Sequence, residues 1–190
     1  MKKISIYLSV ISLMLTLVTS VKAELIERGD FFIYDNDLNI TWLKNANLYQ
    51  DSMTWSEAFD WAENLDYQGY DDWRLPVSDG SCLRYDCFDS EMGHLYYSEG
   101  ITSGSSGLFT EVQPGMYWSG TEYETNPAMA WRFNFQSGYQ GRSGKTYERY
   151  VWTVRDGDVD LPVAPEPVSS LLFITGGITL AVRKSLRKKI

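Results

Sequence analysis

Two apolar segments with basic flanks stand at the ends of this 190-residue chain, and they confine any folded domain to the stretch between them. At the N-terminus, Met1-Lys2-Lys3 precedes an apolar run from Ile4 to Val18, and Val21-Lys22-Ala23 follows. Charged, apolar and small-residue regions in that order are those of a secretory signal peptide, so cleavage after Ala23 is expected. The mature chain then begins near Glu24. At the other end, an apolar stretch from Val168 to Val182 is followed by Arg183-Lys184-Ser185-Leu186-Arg187-Lys188-Lys189. Basic residues stay on the cytoplasmic side, which puts the intervening domain outside the membrane. As a helix the stretch covers only about 22 Å of a hydrocarbon core near 30 Å, so it is marginal as a permanent anchor. The layout expected is a signal peptide at 1–23, an ectodomain at 24–160 and a tail at 161–190.

Pro165-Glu166-Pro167, the short apolar helix and the tail beginning Arg183-Lys184 together resemble a PEP-CTERM sorting signal. That resemblance implies recognition by an exosortase-type transpeptidase, removal of the tail, and release or attachment at the cell surface. Before processing, the apolar helix is the contact with the membrane. A plain tail anchor needs the helix and the charges but gives no reason for two prolines around a glutamate.

Charge is distributed unevenly. Residues 24–167 hold nine Lys and Arg against 25 Asp and Glu, a formal charge of −16, while the whole chain shows only −8. Such a field repels phosphate backbones and anionic lipid, so nucleic-acid binding is not expected. All seven Trp and twelve of the 13 Tyr fall in the ectodomain, where they suit a dense aromatic core or a sugar-binding face. Cys82 and Cys87 are the only cysteines, and export to an oxidising compartment lets them pair as a local staple of about 2 kcal/mol.

Along the domain, Phe31-Phe32-Ile33-Tyr34 and Ile40-Thr41-Trp42-Leu43 flank the turn-forming Asp35-Asn36-Asp37-Leu38-Asn39, which predicts a hairpin. Asp35, Asp37 and Asn39 echo a calcium loop, but Ile40 and Ala46 replace its glycine and closing glutamate, so turn chemistry is the better reading. Thr54-Trp55-Ser56-Glu57 is a capping box, and Trp55, Ala58, Phe59, Ala62 and Leu65 recur at helical spacing. A second helix is expected over Ser90–Tyr97 with Ser90 as N-cap, then a flexible Gly/Ser loop over 100–107. Strands are expected over 116–121, 129–135 and 150–155, with Gly138, Gly141 and Gly144 in the turns. Two helices packed on a small antiparallel sheet make an α+β fold.

The order of Thr54-Trp55-Ser56-Glu57-Ala58, Trp73-Arg74-Leu75-Pro76, Glu91-Met92, Tyr117-Trp118-Ser119, Ala130-Trp131 and Val151-Trp152-Thr153-Val154-Arg155 resembles the Lcl C-terminal domain family. The resemblance runs from about Phe31 to Asp158. It implies a C-type-lectin-like fold and an extracellular binding or adhesion role. Trp55, Trp73, Arg74, Leu75, Pro76, Trp118, Trp131 and Arg155 are then fold markers, with Arg74 and Arg155 in buried or half-buried ion pairs. The calcium site of lectins in that fold class is not carried over, because Gln113-Pro114-Gly115 and Trp131-Arg132-Phe133 lack its oxygen ligands. Sulfated polysaccharide, which the family's adhesin suggests, is disfavoured by the charge of −16.

Candidate catalytic groups are few. His94 is the single histidine and reads as a surface or amphipathic-helix residue, and one His with two Cys matches no common zinc site. Cys82 and Cys87 repeat the Cys-x4-Cys spacing of formylglycine-generating enzymes, but the surrounding residues do not match. The chain is therefore expected to be a non-catalytic binding module for extracellular polysaccharide or an envelope protein, with no cofactor and no metal. The alternatives are a structural matrix component and, further off, a thiol or carboxylate-based enzyme.

Overall fold

The run from Asp35 to Asn39 turns the chain by its own side-chain chemistry. Asp35 Oδ1 accepts the backbone N–H groups of Asp37 at 3.2 Å and Leu38 at 3.1 Å. Asn39 adopts a left-handed conformation at φ 52°, which asparagine tolerates better than most residues. In the computed structural model, which describes residues 24–159, this turn joins β2 (Phe32–Asp35) to β3 (Ile40–Leu43). An unforeseen strand, β1 (Leu25–Arg28), adds to the free edge of β2. The two runs of helical spacing and capping chemistry form α1 (Trp55–Glu63) and α2 (Glu91–Tyr97).

The later strands divide between two sheets. β4 (Met116–Glu122), β5 (Met129–Asn134) and β6 (Gln140–Gly144) form an antiparallel meander, while β7 (Val154–Asp156) returns to pair with β3. Among the described residues the fold is thus α+β with two helices and two small antiparallel sheets, where a single sheet was expected. The division arises in the segment before β7. Tyr150 makes only an isolated parallel bridge to Tyr117 of β4, so the strand expected over 150–155 starts only at Val154 and ends at Asp156.

Gly141 and Gly144 lie in β6 and not in turns. Gly141 pairs with Arg132, and a Cβ there would stand 3.3 Å from the guanidinium, so glycine leaves room for that side chain to cross the strand. Gly138, with φ 79°, does sit in the β5–β6 turn.

In α1 the N-cap chemistry is realised: the Thr54 N–H and hydroxyl both donate to Glu57 Oε2, at 2.9 and 2.7 Å. The helix buries Trp55, Ala58 and Ala62 beside Leu75 and Trp118. In α2, Ser90 occupies the N-cap position, but its hydroxyl accepts the Asp79 N–H at 2.7 Å and makes no cap bond. Tertiary pairing has taken the group that local propensity assigned to the helix. Cys82 and Cys87 are disulfide-bonded, with Cα atoms 5.7 Å apart. A Cβ on Gly93 would run into the Cys87 carbonyl, so α2 rests directly on this loop.

Residues 100–107 form a hydrogen-bonded turn: Thr102 Oγ1 accepts the N–H groups of Gly104 and Ser105, and the Ser103 N–H reaches the Phe135 carbonyl. The main core gathers Trp42, Trp152, Tyr117, Phe133 and Phe135, all essentially without solvent exposure. Among the described residues, no helix is long and apolar enough to cross a membrane. The signal peptide with its Ala23 site, and the tail with Pro165, Glu166, Pro167, Arg183 and Lys184, lie outside the described residues.

Candidate functional site

The motif residues direct their polar atoms inward. Trp55 Nε1 donates to the Ser119 carbonyl at 2.8 Å, Trp73 Nε1 to Tyr70 at 2.9 Å, and Trp118 Nε1 to Met53 at 3.0 Å. Leu75 and Pro76 are buried, and the Pro76 carbonyl accepts the Gly120 N–H. Arg74 makes a two-pronged pair with Glu91 at 2.7 and 2.9 Å and reaches Asp156 at 2.6 Å. Burial works against its charge, but the two carboxylates outweigh burial and hold the guanidinium above its ordinary pKa. Arg155 makes a similar fork onto Asp72, at 2.7 and 2.9 Å, and its hydrogen bonds hold that carboxyl below the usual range. With their donors and charges satisfied internally, these side chains tie α2, β7 and the loop before Trp73 together.

A cleft of about 600 Å³ opens where the end of β4 meets the loop before the disulfide, within the range of small-ligand sites. Gly80 and Trp131 line it together with the run from Thr121 to Thr125. Tyr123 is held in place: the Arg142 guanidinium lies 4.2 Å from its ring centroid, and Trp131 meets it edge-on at 5.9 Å. Its backbone is fixed as well, since the Tyr123 N–H donates to the Met129 carbonyl at 3.0 Å. Glu122 pairs with Lys145 at 2.6 Å, and Glu124 lines the same cleft. An ordered aromatic ring beside carboxylates and threonine hydroxyls can pack on a sugar face and accept hydrogen bonds from its hydroxyls. Of the residues singled out from sequence, only Trp131 reaches this cleft. Tyr123, Glu122 and Glu124 escaped notice because they follow the alternating part of β4, where no pattern marks them.

A second polar constellation lies between β2 and α2. His94, expected on an amphipathic helix or at the surface, lies on α2 and is only 9% exposed, because it faces Asp35 of the first hairpin. Its Nε2 stands 3.6 Å from Asp35 Oδ2 and 3.6 Å from Glu99 Oε1. Neither Nε2 nor Asp35 Oδ2 has a hydrogen-bond partner among the described residues. Burial pushes the carboxyl groups of both Asp35 and Glu99 above their usual range. Asp37 reaches the same place from the turn. Both cysteines are in the disulfide, which leaves no free thiol for nucleophilic chemistry.

No curated protein matches the chain. The family model of the Lcl C-terminal domain matches residues 32–155, which spans β2 through β7 and takes in every motif that carried the resemblance. With that match covering well over half its length, the chain belongs to the Lcl C-terminal domain family.

Proposed function

We propose that this protein is an exported, non-catalytic binding module whose cleft beside Tyr123 and Trp131 takes a neutral extracellular polysaccharide. The observation that carries the reading is the cleft itself: a fixed aromatic ring beside carboxylate and hydroxyl acceptors, on a segment with a formal charge of −16. Neutral sugars satisfy those acceptors without the repulsion that a sulfated chain meets. The C-type-lectin-like reading of the fold belongs here too, and the presence of the first and last strands in one sheet, with β7 paired to β3, supports it. In binding assays with the full chain in detergent, neutral glucans or mannans are expected to saturate, while heparin-like chains bind more weakly. Tyr123→Ala is expected to lower the affinity about tenfold, the loss of one aromatic contact. Preference for sulfated chains would sink the reading, and the absence of any saturable glycan would favour a structural matrix component.

The tail completes the proposal. Pro165-Glu166-Pro167, the apolar stretch and the basic run support processing by an exosortase-type transpeptidase and a final place at the cell surface or in the medium. Intact mass of the native protein is expected to lack residues 1–23 and the segment after the Pro-Glu-Pro motif, and Glu166→Ala is expected to accumulate a full-length, membrane-bound form. Mature wild-type protein that still carried residues 168–190 would overturn this part.

A further inference from the structure

We propose that Asp35, Asp37, His94 and Glu99 form a binding site for a divalent transition-metal ion of the zinc type. One ligand atom each from Asp37, His94 and Glu99 lie within 4.8 Å of one another. His94 Nε2 faces Asp35 Oδ2 and Glu99 Oε1 at 3.6 Å each, close to the roughly 3.4 Å between ligands in a tetrahedral zinc site with bonds near 2.1 Å. The second observation is the state of the buried donors. Asp35 is 1% exposed, and its Oδ2, which faces His94 Nε2, has no hydrogen-bond partner among the described residues; the same holds for the buried His94 Nε2. Polar atoms buried without partners are rare in folded proteins, and a coordinated cation satisfies both at once.

Donor chemistry selects the metal class. Calcium takes six to eight oxygen ligands, whereas imidazole with carboxylates suits zinc and its neighbours. The Asp35-x-Asp37 spacing was legible in the sequence, but the remaining donors come from α2 and from Glu99, two residues past its end, and not from the continuation of the loop. That is why a calcium-loop template finds Ile40 and Ala46 in the wrong places. Asp37 is exposed, so the site opens to solvent on the side of the turn, where an ion can enter and water can complete its shell. The bound ion joins the first hairpin to α2, elements that take no part in the polysaccharide cleft.

The test is zinc binding by the full-length chain in detergent micelles, read by calorimetry and by metal content after desalting, with calcium and manganese run in parallel. One equivalent of zinc is expected, with a rise in melting temperature that a chelator reverses. Asp37→Asn, at an exposed position that leaves the fold intact, and Glu99→Gln are each expected to weaken zinc at least tenfold. Asp60→Asn, on the exposed face of α1, is expected to leave zinc affinity unchanged. Equal affinity in all four proteins, or no stoichiometric zinc, would overturn the site and leave His94 as a side chain packed between Asp35 and Glu99. A calcium preference over zinc would overturn the assignment of metal class.

Discussion

Trp152→Ala is expected to lower folding stability by about 4–5 kcal/mol, at the upper end for removal of a buried aromatic residue. The Trp152 ring lies 4.9 Å from Phe109, 5.0 Å from Trp42 and 5.4 Å from Phe135, so one truncation opens a cavity at the centre of the main core. It also deprives the Leu43 carbonyl of the Nε1 donor at 2.7 Å. An unsatisfied buried acceptor adds about 1–3 kcal/mol to such a loss when no water reaches it. Domains of this size are commonly stable by about 5–15 kcal/mol, so the variant stands near the unfolding threshold. Urea denaturation followed by tryptophan fluorescence measures the effect. Trp152→Phe keeps most of the ring volume and is expected to lose about half as much. A midpoint for Trp152→Ala within about 1 kcal/mol of wild type would mean that the aromatic cluster is not the stabilising core.

Arg74→Met comes next, at about 3 kcal/mol. Removing one member of a buried ion pair costs about 3–5 kcal/mol because the other charge is left uncompensated. Here the Arg74 side chain is 31% exposed and Glu91 15% exposed, which places the estimate at the low end. Glu91 would retain only the Val77 N–H, at 2.7 Å, as a partner for Oε2. Adding Glu91→Gln to Arg74→Met removes the stranded charge yet leaves an acceptor for Val77, so the double variant is expected to regain about 1 kcal/mol or more. Failure of Glu91→Gln to restore anything would show that Arg74 acts through its packing and not through the charge pair. Arg74→Lys is expected to rescue only in part, since an ammonium cannot make the two-pronged contact.

The parts of this fold that were readable from sequence are those whose determinants are local. Asp35 to Asn39 turns by hydrogen bonds between near neighbours, and Thr54 with Glu57 caps α1 from three residues away. The same is true of Cys82 and Cys87, which needed only proximity. Where a partner is distant in sequence, local patterns mislead. Ser90 looked like a cap and instead receives Asp79, and Gly141 looked like a turn residue and instead accommodates Arg132 across a strand. His94 illustrates the limit most fully. A lone histidine on a seven-residue helix gives no periodic signal, and only the packing of α2 on the first hairpin brings Asp35 to it. Tyr123 was equally hidden, because its surroundings are supplied by Arg142 on another strand and Trp131 across the meander.

The way the last six described residues are fastened has a mechanical consequence. β7 is an edge strand of only three residues, yet its neighbours are bound to several separate parts of the chain. Val154 and Arg74 exchange backbone hydrogen bonds, Arg155 forks onto Asp72, Gly157 bonds to Asn39 and Thr41, and Asp158 is clasped by Arg28 at 2.6 Å. Any pull on the chain from its C-terminal side would enter the fold at this point. An isolated three-residue edge would peel away one hydrogen bond at a time. Distributed clasps make the load shared among β1, β3 and the Asp72–Arg74 segment, so that yielding requires several attachments to fail together.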